Sequence, residues 1–182
     1  MVGLMAKPGA LLWIDLEMTG LDPEKQRIIE AAAIITGWDL EPIVEYHSVI
    51  KQPPAVLRGM DDWCRKQHGA SGLLKAMENG IDELEAESEL VELVSRHCEQ
   101  PILLAGNSVH YDRRFIRRYW PRLEKLLHYR MLDVSAWKVV MSGKYGIVFR
   151  KPETHRALED IKGSIEELQF YLRRAGFGRP SH

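Results

Sequence analysis

Three apolar runs follow one another with no helix-length segment between them, and this order restricts the possible folds more than any other feature of the chain. Residues 11–17 form a short apolar run carrying Asp15 and Glu17 and closed by Thr19-Gly20. Residues 27–37 form the second run and residues 43–50 the third, which Pro53-Pro54 stops because proline cannot donate to a sheet ladder. Apolar runs of this length bounded by turn residues read as strands, and three in succession predict an antiparallel meander. The pattern then changes. Residues 61–77 read as short helices with a break at 69–72, and residues 82–98 as a longer helix with Leu84, Val91, Val94 and Cys98 at heptad-like spacing. Residues 101–105 read as a strand, followed by the turn Gly106-Asn107-Ser108, with Ser108 placed to cap the next helix. Residues 129–133 form a short strand with a helix after it. The last helix is expected over residues 155–175, with Leu158, Ile161, Ile165, Leu168 and Leu172 as its core stripe. A meander followed by alternating helix and strand predicts an α/β fold, a mixed β-sheet flanked by α-helices.

No repeat or linker divides the 182 residues, which are expected to form one domain with flexible tails at 1–8 and 176–182. The formal net charge is −1, so the chain has no global basic field for gripping long nucleic acid. A nucleic-acid substrate would have to be short or held by a local patch. The two cysteines, Cys64 and Cys98, lack Cys-x-x-Cys spacing, which argues against a zinc site and for reduced thiols. The apolar run at residues 10–14 is far too short for a membrane span, and residues 1–8 lack a signal-peptide core. The expected location is cytoplasmic, with no membrane partner.

Asp15 and Glu17 stand two apart on a strand, so their side chains point to the same face. Two acids there repel each other and resist desolvation, and a bound cation would relieve both. A strand end dipping into solvent, where acids cost little, is the other reading of this pair, which on its own leans only slightly towards function. Asp112 falls in the first turns of a helix, where acids are common for dipole reasons alone. His155 and Asp160 are five apart, a spacing that on one regular helix puts them on different faces. A workable geometry has Asp160 inside the first turns and His155 at or before the helix start, where the dipole disfavours an imidazolium. Taken together, four acids from three segments form an oxygen-only ligand set. Such a set suits Mg²⁺ or Mn²⁺. Two such ions roughly 4 Å apart can clamp the attacking and leaving oxygens of a phosphodiester, and a neutral histidine can deprotonate the attacking water.

The segments that carry these residues resemble the oligoribonucleases, exonucleases of the superfamily named for four acids and a histidine. Residues 12–21, Leu12-Trp13-Ile14-Asp15-Leu16-Glu17-Met18-Thr19-Gly20-Leu21, resemble the family's first motif. Gly106-Asn107-Ser108 with Asp112-Arg113-Arg114-Phe115 resembles the second, and Thr154-His155-Arg156-Ala157-Leu158-Glu159-Asp160-Ile161 the last. His128-Tyr129-Arg130-Met131-Leu132-Asp133-Val134-Ser135 is similar to a segment particular to oligoribonucleases. Met60-Asp61-Asp62-Trp63 and His68 also match. The resemblance, over about residues 11–171, implies an RNase-H-like fold, a homodimer and a two-metal mechanism. It implies removal of 5′-nucleotides from the 3′ end of very short RNAs, dinucleotides above all. It makes Asp15, Glu17, Asp112 and Asp160 metal ligands and His155 the general base. It places Leu21 as a wedge between two bases, with Trp63 and His68 beside the nucleotides. It assigns Ser108, Arg130 and Ser135 to the substrate's 5′ phosphate, with Tyr129 reaching in from the second subunit. The stretch between Ser135 and His155 is shorter than usual for the family, and His110-Tyr111 replaces smaller or polar residues.

Arg113, Arg114, Arg117, Arg118, Arg122 and Lys125 crowd one region. They read either as an RNA-attracting patch or dimer contact, or as a solvated helix face whose arginine stems cover apolar surface. A two-nucleotide substrate has too few phosphates for such a patch, which favours the second reading. The other functions open to this sequence are a proofreading or tRNA-trimming exonuclease, which needs a groove for longer strands, and a non-catalytic binding module. The module would be expected to lack an acid or the histidine.

Overall fold

The computed structural model describes residues 9–150 and 157–176. Residues 151–156, which include His155, and residues 1–8 and 177–182 lie outside the described residues. The meander is present as β1 (Leu11–Met18), β2 (Ile28–Thr36) and β3 (Pro42–Val49). Short helices α1 (Pro54–Arg58), α2 (Asp62–Ala70) and α3 (Leu73–Ala76) follow, with one 3₁₀ turn at Met77–Asn79. Then come α4 (Glu83–His97), β4 (Ile102–Gly106), α5 (His110–Tyr119), α6 (Pro121–Glu124), β5 (Leu127–Asp133), α7 (Val134–Tyr145) and α8 (Ala157–Arg174).

The five strands form one sheet in the order β3-β2-β1-β4-β5. β1 pairs antiparallel with β2, and β2 with β3, while β1–β4 and β4–β5 are parallel. Every residue of β2 is buried, since its Ile and Ala side chains meet helices on both faces. Alternation splits β1 between two cores. Leu12, Ile14, Leu16 and Met18 pack with Ala86, Leu90 and Val94 of α4 and Phe115 and Ile116 of α5. Leu11 and Trp13 pack on the other face with Ile161, Ile165, Leu168 and Tyr171 of α8. The Trp13 indole N–H donates to Thr36 Oγ1 at 2.9 Å, which satisfies its one polar atom inside that core.

Several local expectations need correction. Leu84 is 71% exposed, and the buried face of α4 is Ala86, Glu87, Leu90 and Val94. The i, i+4 row turns Leu84 outward, and Glu87 is drawn inward because its carboxylate accepts from Arg122. Cys98 is not in the helix but closes it, with an extended backbone. Ser108 does not cap α5, because Val109 holds that position and no side chain caps it. In α8 the fully buried aromatic is Tyr171, whereas Leu158 and Leu172 are only partly covered. Arg113 is buried, not solvated, and shares Glu124 with Arg117. Arg122 bridges to Glu87 and Arg118 to Glu24, so much of the basic region is engaged within the fold.

Candidate active site

The acids converge at the end of β1. Asp15 and Glu17 continue the face of Leu11 and Trp13, the face that α8 covers, and Asp160 lies in the first turn of α8. Asp112 arrives from α5 on the other side. Its Oδ1 accepts the Leu16 backbone N–H at 2.9 Å, so this helix is tied to the strand between the two acids. Gly106 permits the approach. A Cβ there would stand 3.0 Å from the Ile14 carbonyl oxygen and 3.2 Å from Val109 Cγ2.

The electrostatics are those of acids withdrawn from water and crowded together. Burial, then the charges of Asp15, Glu30 and Asp160, push the Glu17 carboxyl up from 4.5 to about 8. Burial and the charges of Asp15 and Glu17 hold the Asp112 carboxyl well above the usual range, although the Leu16 N–H opposes them. Glu30 is an acid that reading the sequence missed. It is directly opposite Glu17 in the β1–β2 register, on the same face, and its Oε1 is 2.6 Å from His47 Nε2. Like charges opposite each other in a sheet are destabilising, so the pairing is costly in the free protein. Oxygen donors carrying this burden match a hard divalent cation chemically. Among the described residues, no three His, Cys, Asp or Glu side chains are gathered into a ligand cage.

The other residues singled out from the sequence occupy two borders of this centre. Leu21 and Trp63 are exposed, at 60% and 65%. The helix bearing Trp63 is fastened to the chain after β1 by Asp61 N–H donating to the Thr19 carbonyl at 3.1 Å. His68 is buried instead of open to a ligand. Its Nε2 bonds the Met18 carbonyl at 2.9 Å, and its Nδ1 is 3.9 Å from Glu17. It therefore braces the strand end that carries Glu17.

Ser108 and Ser135 meet on the opposite border, with hydroxyls 3.1 Å apart. Asp133 caps α7 by accepting the Ser135 N–H at 2.9 Å, and it accepts the Ser108 N–H at the same distance. This Asx-type cap was legible as an Asp two residues ahead of Ser135, but its reach to Ser108 was not. Ser108 has φ +50°, a strained conformation for serine that costs roughly 1–3 kcal/mol. Tyr129 and Arg130 are exposed on β5, the sheet edge beside this cluster, and the guanidinium lies 5.2 Å from the Tyr129 ring. The role expected of His155 falls outside the described residues.

Comparison with known proteins agrees with this architecture. The RNase T exonuclease family model matches residues 12–168. The oligoribonuclease of Marinobacter nauticus is 46% identical over 173 residues, which cover 92% of this chain and 96% of the relative. Human mitochondrial oligoribonuclease is 46% identical over 168 residues, covering 88% of this chain and 71% of the relative. Among solved structures, E. coli exonuclease I in complex with a dT13 oligonucleotide superposes with a TM-score of 0.72 at 16% identity. The match covers 93% of this chain, which spans 42% of that longer protein, and it establishes a shared RNase-H-like fold.

Proposed function

Since this chain belongs to the oligoribonuclease family of exonucleases, we propose that it removes 5′-mononucleotides from the 3′ end of very short RNAs, dinucleotides especially. The observation that carries this reading is the convergence of Asp15, Glu17, Asp112 and Asp160 at one strand end, where burial and then mutual repulsion raise the Glu17 and Asp112 carboxyls. These acids would hold two divalent cations, Mg²⁺ or Mn²⁺. Bound there, the ions supply charge opposite the attacking and leaving oxygens of the phosphodiester. His155, which precedes α8 in the sequence, would take the proton of the attacking water.

Leu21 and Trp63 offer apolar and aromatic surfaces that stack bases without reading their identity. His68 would act from behind the nucleotides by bracing Glu17 and the strand end. Ser108 and Arg130 would supply donors for a terminal 5′ phosphate, with Ser135 beside them at the same corner. A substrate held at both ends would be short, in keeping with a net charge of −1.

The second subunit would be another copy of this chain. Exposed apolar side chains concentrate between residues 129 and 148: Tyr129, Met131, Val139, Val140, Tyr145 and Val148. They belong to the edge strand β5, to α7 and to the segment after it, the kind of surface that a homodimer covers. Among the described residues no helix is long and apolar enough to cross a membrane.

Asp112→Asn tests the assignment. It should lower metal-dependent release of mononucleotide from a dinucleotide at least a hundredfold, as read by chromatography of a 5′-labelled substrate (on the order of the loss of one transition-state charge contact). Full activity in that variant would reject the role of the acids. A parent enzyme that degrades a twenty-nucleotide RNA faster than a dinucleotide would reject the short-substrate reading and favour an open-groove exonuclease.

A further inference from the structure

A chain of hydrogen bonds runs from the buried side of α8 to the Ser108–Ser135 hydroxyl pair. Tyr171, fully buried, donates its hydroxyl to Glu167 Oε1 at 2.8 Å. Glu167, 2% exposed, accepts on its other oxygen from the Asn107 amide nitrogen at 3.1 Å. The same nitrogen donates to Ser164 Oγ at 2.9 Å, and Ser164 in turn donates to the Asp160 carbonyl at 2.8 Å. Both protons of the Asn107 amide group thus face acceptors, and a flipped amide would turn its oxygen onto the Glu167 carboxylate. The amide oxygen is therefore aimed at Ser135, whose hydroxyl donates to it at 3.2 Å.

Asn107 consequently joins three segments of the site: the β4–α5 turn that leads to Asp112, the start of α7 that carries Ser135, and the helix that carries Asp160. The backbone donors nearby are already engaged. Ser108 N–H is shared between Asp133 Oδ1 and Ser135 Oγ, at 2.9 and 3.0 Å, and Ser135 N–H is taken by Asp133. With the one Ser135 proton given to Asn107, the Ser108 hydroxyl and Arg130 are the donors left to meet a phosphate at this corner. How well Ser108 is placed then depends on what fixes Ser135, since Ser108 sits at a positive φ and leans on Ser135 through two contacts.

We propose that Asn107, oriented by Glu167, is the positioning residue that sets the Ser108–Ser135 pair to receive the phosphate monoester at a substrate's 5′ end. The inference rests on the reading of those serines as phosphate contacts. Asn107 and Glu167 touch no substrate in this scheme and act through Ser135. An Asn107 free to present either end of its amide leaves Ser135 without a defined orientation.

The experiment compares kcat/KM for a 5′-phosphorylated and a 5′-hydroxyl dinucleotide on the same enzyme preparation, so that loss of folded protein cancels in the ratio. Glu167→Gln gives the Asn107 amide a partner in either orientation. It should lower the preference for the phosphorylated dinucleotide about fivefold, mainly through KM (about 1 kcal/mol of binding). Tyr171→Phe, which frees Glu167 on its far side, should lower it in the same direction by less, and it stands in for Glu167→Gln if that variant does not fold. A ratio that is unchanged or raised overturns the proposal. Ser108→Ala and Arg130→Ala separate the two claims. If these lower the ratio while Glu167→Gln and Tyr171→Phe do not, the phosphate reading stands and the positioning role falls. If Ser108→Ala and Arg130→Ala leave the ratio unchanged, the phosphate reading itself fails.

Discussion

Glu17 shows how one side chain couples folding to function. Its carboxyl titrates near 4.5 when the chain is unfolded and at about 8 in the folded protein. Between these values the folded state binds more protons than the unfolded one, so the contribution of Glu17 to stability falls as pH rises from about 4.5 to 8. Glu17→Gln carries no charge at any pH and removes that fall. In chelator the variant should be more stable than the parent at pH 8, by on the order of 2 kcal/mol after solvent screening, and nearly equal to it at pH 4.5. Thermal unfolding at the two pH values measures this, and a variant less stable at pH 8 would contradict it. The same substitution should abolish nuclease activity. The pairing of Asp15 with Glu17 was legible in the sequence because a strand alternates with period two. Glu30 was not, since its place opposite Glu17 depends on the β1–β2 register, which no local pattern specifies.

At the scale of elements, the strands and most helices were legible because apolar runs and turn residues carry local information. The meander, the mixed sheet and the position of Asp112 near the start of α5 all follow from that. Tertiary choices were not legible. The buried side of α4 is set by Glu87 meeting Arg122 from α6, and this left Leu84 in solvent. Ser108 looked like a helix cap by residue type, yet its backbone is taken by Asp133 and Ser135 from the next strand–helix junction. The β4–α5 turn carries its own prediction. In Gly106→Ala the new methyl would press on the Ile14 carbonyl at 3.0 Å and on Val109 at 3.2 Å. Relief requires the turn to move off β1 and to take Asp112 with it. The variant should lose roughly 1–3 kcal/mol in urea unfolding and lose activity beyond what that instability explains. Parent-like activity would show that the turn has slack.

For the whole molecule, the sheet has two edges of different character. β3 exposes Glu45 and His47 along with Ile43, and Glu41 stands just ahead of it, polar groups that discourage pairing. β5 and α7 present Tyr129, Met131, Val139 and Val140 instead. The dimer reading makes this the contact between copies and brings the partner subunit's Tyr129 to the phosphate corner. Val139→Asp, at a position 70% exposed, should leave the fold of one copy intact and halve the mass seen by sedimentation velocity. Activity on dinucleotides should fall with it. A parent protein that sediments as a monomer at micromolar concentration would remove the basis for this expectation.

The strand order has a consequence for how the molecule is made. β1, β2 and β3 can zip together as soon as residue 49 clears the ribosome, because each pairs with its neighbour in the chain. The other side of β1 must wait for β4, which begins only at Ile102. Until then a nascent three-stranded sheet would expose an open, apolar border at Leu11–Trp13, beside Asp15 and Glu17. Those acids discourage two unfinished sheets from joining at that border, since like charges would meet. The acids proposed as metal ligands would thus also protect the half-made chain from its own copies.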